Sequence, residues 1–432
     1  MFVRLLAIAV LLLASCEKTD HESIDKWTHT EKGTAKLKKT FIDESLDTEL
    51  SAHAAANLIK KGMDPDVRAG LDQMTPNRRT EIVAKLAPRL WEVARLEGEM
   101  QMPAPPQVMA KDALVSIRKF ADDKGKQQID AYLIDWYCVG SYEGRAQTGA
   151  VLGPTVIRML GPAAGKKLMH VVDGLIAAPG QEKKKNRIGD ELMLALAASG
   201  NADAVKYLLD LARMKTGDDT LPTRAMSALY KAYVDPGGLF DLVESSPLVP
   251  NLDAIVKIAT DDAMPAGAAD DAVKLIRVVG PPKCIAPLVG MIGHPHSNPL
   301  FKYVAADSAL KCGGIPSIKD VVHALPDGPY RQDELMGAVV TDITLMTPRA
   351  QVLAVLRELL QDKGRIARWV AIEGLAAMKS MEDVPRLAAV SSGEKLVGYW
   401  GDQSGVDPKD RKQDPTLGQR ARELSERLKP LK

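Results

Sequence analysis

The sequence predicts an all-α protein: a right-handed α-solenoid of stacked antiparallel helix pairs. Three observations predict it. Aromatic residues make up only 4% of the 432-residue chain while Ala, Leu and Val abound, which favours helices packed through small and aliphatic side chains over a β-rich fold. No stretch sustains the apolar–polar alternation of a strand. Finally, a helix–break–helix phrase recurs along the chain at a nearly constant interval.

The phrase is clearest in "VIRMLGPAAGKKLMHVV" (156–172) and "LIRVVGPPKCIAPLVGMI" (275–292), whose Ile, Arg, Gly and Pro align. Each reads as the end of one helix, a Gly-Pro break and a second amphipathic helix. Gly suits the left-handed residue that closes a helix, and Pro suits the first turn of the next. Looser copies break at Gly200, near Gly237, at Gly313, near Thr347 and near Ser380. Counted from Gly161, successive breaks lie 33 to 43 residues apart, one helix pair per unit. An early copy, "ELSAHAAANLIKKG", closes at Gly62. Within the units, Ala204, Val205, Leu208 and Leu209 recur at helical spacing, as do Val355, Leu356, Leu359 and Leu360. Paired small residues such as Ala305-Ala306 and Ala376-Ala377 let neighbouring helices approach closely. A lone pair cannot bury its apolar stripe, so the pairs are expected to stack.

This grammar resembles the HEAT-repeat family, through its "A-x-x-A-L-x-x-x-G" ending of the first helix and the short turn that follows. Asp203 and Asp383 match the family's turn aspartate; Gly161-Pro162 and Gly280-Pro281 depart from it. The resemblance implies a HEAT/armadillo-like superhelix and a protein-binding role without catalysis. It is best over 141–392, the expected repeat array, and weaker over 27–140, read as irregular N-terminal helical repeats. The Gly-, Asp- and Pro-rich stretch "GYWGDQSGVDPKDRKQDPTLG" (398–418) reads as a long loop. "QRARELSERLKPLK" reads as a charged capping helix, so 393–432 forms a C-terminal loop and cap. Trp400 in that loop is expected to anchor it to the last repeat. Leu133, Trp136 and Tyr137 fall at core spacing.

The N-terminus points to the cell envelope. Arg4 precedes the apolar run Leu5–Ala14, about 15 Å as a helix and roughly half a bilayer core. Leu13-Ala14-Ser15-Cys16 resembles the lipobox of bacterial lipoproteins. The resemblance implies a signal peptide at 1–15, acylation of Cys16, and a polar tether at 16–26. It implies a partner in the membrane itself, through the acyl chains. Glu17 leans toward the periplasmic face of the outer membrane over the inner membrane or the cell surface.

The remaining expectations are mostly exclusions. Net charge is +1, and removing Arg4 with the signal peptide neutralises it. A nucleic-acid partner is therefore not expected, and the runs "EKKK" (182–185) and "NRR" (77–79) read as solvated charge. No P-loop, G-x-G-x-x-G or G-x-S-x-G occurs, so no cofactor and no catalytic residue is assigned. His294 and His296, in "GHPHSNPL", are the candidates for the alternative reading, an envelope enzyme or metal-binding protein. The one His-Glu pair, His21-Glu22, falls in the expected tether and argues against a HEAT-like iron hydroxylase.

Cys16 apart, three cysteines remain: Cys138, Cys284 and Cys312. Cys284 lies just after one break and Cys312 just before another. In a stacked array these turns share an edge, which makes Cys284–Cys312 the candidate disulfide, with two buried thiols as the alternative. The expected partner is an envelope protein or peptide. Polar residues on second helices, such as Lys206, Tyr207, Lys319 and Arg386, are the candidate contacts.

Overall fold

A computed structural model describes residues 19–95, 103–138, 142–177, 188–214, 220–296, 300–326, 332–397, 399–400 and 403–429. Their regular structure is helical; the one β-type pairing among them is an isolated bridge between Lys395 and Thr416. The chain divides between Asn201 and Ala202 into two compact units.

The first unit contains α1 (His21–Thr28), α2 (Gly33–Ile42), α3 (Thr48–Lys60), α4 (Asp64–Gln73), α5 (Pro76–Ala94), α6 (Pro105–Ile117), α7 (Asp123–Cys138), α8 (Tyr142–Ala146), α9 (Gly153–Leu160), α10 (Pro162–Ala177) and α11 (Asp190–Ala198). At its centre α3 packs against α1, α2, α4, α5 and α6. Its sequence explains why: Ser51 to Ile59 are all buried, a run rich in alanine that lets helices approach from every side. Gly70 on α4 permits one such approach, since a Cβ there would stand 2.4 Å from the Phe41 ring.

Residues 21–26 correct the tether expectation. They form most of α1, because Asp20 caps the helix by accepting from Ser23 N at 2.9 Å and because Ile24 and Trp27 are buried. A polar segment with two apolar residues one helical turn apart has enough to dock. Later in the unit, Leu133, Trp136 and Tyr137 are core residues of α7. Two buried cations hold the turns nearby. Lys111 Nζ donates to Asp112 Oδ1 at 2.5 Å and to the carbonyls of Thr148 and Val151. Arg145 donates to the Trp136 carbonyl at 2.8 Å, near the negative end of the α7 dipole.

The second unit contains α12 (Ala202–Ala212), α13 (Leu221–Tyr233), α14 (Leu252–Ala259), α15 (Ala266–Val279), α16 (Ile285–Ile292), α17 (Phe301–Gly313), α18 (Ile318–Ala324), α19 (Gln332–Leu345), α20 (Arg349–Leu360), α21 (Arg365–Ala377), α22 (Val384–Ala388) and α23 (Leu417–Leu428). Its packing is periodic. Neighbours pair as α12·α13, α14·α15, α16·α17 and α20·α21, and α13, α15, α17, α19, α21 and α23 each touch the next in that series. A second series runs α16·α18·α20.

Three expected breaks fall at positive-φ glycines beside a helix end, Gly161 (φ 73°), Gly200 (66°) and Gly280 (84°), whereas α13 already ends at Tyr233, ahead of Gly237 (60°). Elsewhere the stop is displaced by one residue. α17 runs through Gly313 and ends at Gly314 (62°), and the left-handed residue beside Ser380 is Lys379 (51°). Pro162 opens α10 directly, whereas α16 starts only at Ile285, after Pro281-Pro282. Each proline lacks an N–H, and the second disfavours helical geometry at the first.

The C-terminal segment packs back as α23 against α21 and α22. Arg420 grips Glu373 of α21 with two bonds, 2.7 and 2.9 Å. Tyr399, not Trp400, reaches the last helices: its ring lies 5.9 Å from Trp369. Trp400 instead closes the loop on itself, donating to the Gln413 carbonyl under the Lys412 ammonium. The loop curls back between its ends, so the residue at its foot makes the anchor.

Candidate functional site

Cys16 lies outside the described residues. Three residues separate it from the Asp20 cap of α1, so at most about 14 Å of extended chain lies between them.

Cys284 and Cys312 are joined in a disulfide, their Cα atoms 6.7 Å apart. Cys284 caps the N-terminus of α16 and Cys312 sits in the last turn of α17, so the bond closes the open end of that antiparallel pair. Cys138 is a free thiol. Burial, reinforced by Asp135, pushes it up to about 12 despite Lys167 and Arg145 nearby, leaving it a poor nucleophile at neutral pH.

The His294–His296 loop packs against α17. The His296 side chain is only 2% exposed. Its ring stacks on Phe301 at 4.2 Å, and its Nδ1 lies 3.5 Å from Asp262. His294 meets the same phenyl ring edge-on at 6.5 Å. Asp270 lies nearby on α15; burial raises its carboxyl while Lys274 and His296 pull it down. Among the described residues no group of three or more His, Cys, Asp or Glu is placed to hold a metal ion. The two histidines meet at one shared phenyl ring.

Two of the candidate contact residues, Lys319 and Arg386, belong to a charged lattice. Lys319 of α18 pairs with Glu358 of α20. His323 of α18 lies 3.0 Å from Asp362. Arg357 of α20 grips the fully buried Asp383 at 2.9 Å, joined there by Arg386 and by Ser380 at 2.7 Å. Burial would raise the Asp383 carboxyl, but the hydrogen bonds from Arg357, Ser380 and Arg386 together hold it below the usual range. Asp383 and Arg386 thus serve one another, and Lys206 pairs within its own helix with Asp210 at 2.7 Å. Tyr207 is half-buried on α12. Exposed apolar side chains lie near the helix ends instead: Leu345 is 75% exposed at the end of α19, and Met381 follows α21.

Sequence reasoning missed one cluster. His21 of α1 and His53 of α3 face each other with Nδ1 atoms 2.7 Å apart. His53 Nε2 lies 2.7 Å from Asp25 Oδ1, and the same oxygen accepts from Asn57 Nδ2 at 3.1 Å. Desolvation lowers the His53 pKa, against the pull of Asp25. Each half leaves a faint trace, as His21/Asp25 and His53/Asn57 both stand four apart on a helix. Their meeting across 32 residues has no local signal.

No protein-family model matches the chain, and no curated protein matches it.

Proposed function

We propose that this chain is a lipid-anchored helical-repeat scaffold of the cell envelope that binds another protein or peptide and performs no catalysis. The observation that carries this reading is the periodic packing of the second unit. A series of alternate helices, each resting on the next, supports a right-handed HEAT-like solenoid, an architecture whose repeats expose a long continuous surface. The lattice over α18, α20 and α22 supports it too. Its charges stiffen one row of helices, while Leu345 and Met381 stay available at the helix ends.

Anchoring rests on the lipobox resemblance at Cys16. No described helix is long and apolar enough to cross a membrane. Each buried CH₂ of an acyl chain contributes about 0.8 kcal/mol, so two or three chains hold a protein firmly. The periplasmic face of the outer membrane is the proposed site, with no nucleic acid and no cofactor involved.

In-cell crosslinking of the full-length protein, followed by mass spectrometry, tests the reading. One or two dominant envelope proteins are expected, and their recovery should fall for Leu345→Glu with Met381→Glu. Recovery of the chain alone would overturn the scaffold role.

A further inference from the structure

We propose that His21 and His53 form a two-nitrogen site for a divalent transition-metal ion of the zinc class, at the junction of α1 and α3. The site lies wholly in the first unit and does not depend on membrane anchoring or on a protein partner.

The argument starts from His53. It is 9% exposed and hemmed in by α3's packing, so its ring is held in place. Asp25 stands at its Nε2, and Asn57 holds Asp25 from the other side. A carboxylate behind one ring nitrogen keeps the proton there and leaves a lone pair on the other, the usual outer arrangement of a metal-ligating histidine. That lone pair, on Nδ1, points at the Nδ1 of His21. Two imidazole lone pairs aimed at one point can share a proton or a metal ion.

The geometry is a small movement away from admitting an ion. Zinc–nitrogen bonds of about 2.0 Å in a tetrahedron place two ligand nitrogens about 3.3 Å apart. The rings need to part by about 0.6 Å from the 2.7 Å observed. His21 supplies that movement, being exposed in the first turn of α1. The local charge also suits a cation, with Asp20, Glu22 and Asp25 along α1. Across the junction Arg89 is matched by Glu49 at 2.5 Å, and Glu22 pairs with Lys26. No third side chain converges among the described residues, so water completes the coordination and the ion is exchangeable.

The test uses the full-length, untagged chain in detergent, stripped with a chelator. It is titrated with Zn²⁺ by calorimetry and with Co²⁺ by visible absorption. One ion per chain is expected, with cobalt bands showing nitrogen ligation. His21→Ala, on the exposed face, should abolish the uptake or weaken it at least tenfold, and His53→Asn should do the same. Asp25→Asn should weaken it about 10- to 100-fold. His294→Asn and His323→Asn should leave it unchanged, and circular dichroism should show all variants folded. Absence of saturable uptake by the parent chain, or uptake untouched by His21→Ala, would overturn the site and leave a shared proton as the whole role of the pair.

Discussion

Asp383 shows how much one buried carboxylate organises. It is fully buried, and Arg357, Arg386 and Ser380 all point at it. Asp383→Ala strands two guanidinium groups that retain access to water, so a loss of about 2–3 kcal/mol is expected by urea denaturation at pH 7. The pH dependence follows from the lowered carboxyl. Its stabilisation is complete above the unfolded value, near 3.9, and is lost as pH falls through the lower folded value. The gap between parent and Asp383→Ala should therefore close in strong acid. Cys138 offers a second check. With its thiol at about 12, it should react with a disulfide reagent at pH 8 far more slowly in the folded chain than in urea. Asp383 was half legible: its place in a turn was an expectation from the HEAT-repeat resemblance. Its hold on Arg357, 26 residues away, could not.

At the scale of elements, glycine and the disulfide make distinct predictions. Gly161 has φ 73°, and a Cβ there would touch nothing within 4 Å. Gly161→Ala should thus cost only the backbone term, about 1 kcal/mol. Gly70→Ala meets the Phe41 ring and should cost more; thermal melts of the two rank them. The Cys284–Cys312 bond spans 28 residues, for which chain entropy gives about 3–4 kcal/mol. Reduction should lower the melting temperature, and non-reducing peptide mapping should recover the two cysteines in one linked pair. The helix breaks were legible because glycine and proline act locally. The extent of α1 was not, because Ile24 and Trp27 become decisive only when α2 and α3 are there to cover them.

At the scale of the whole chain, two compact units follow the segment proposed as a lipid anchor. If Cys16 is acylated, the folding of α1 leaves at most about 14 Å between membrane and first helix, so the first unit is held close to the bilayer. Cys16→Ser should move the protein from the membrane to the soluble fraction on cell fractionation. A parent chain already soluble would remove the anchoring proposal. Arg420→Ala should loosen α23 by freeing Glu373, seen as faster hydrogen exchange in α21 and α23 with little change in the first unit.

Read alone, the chain determines its helical class, the neighbourhood of several helix breaks, and a short list of cysteines. These depend on periodicity and on residues acting upon their immediate neighbours. Only the tertiary structure decided that Tyr399 rather than Trp400 anchors the C-terminal loop, and that His296 stacks on Phe301. Only it decided that His21 meets His53. Each of these is a contact between segments whose approach depends on how many helices pack at once, and no stretch of sequence carries that information by itself.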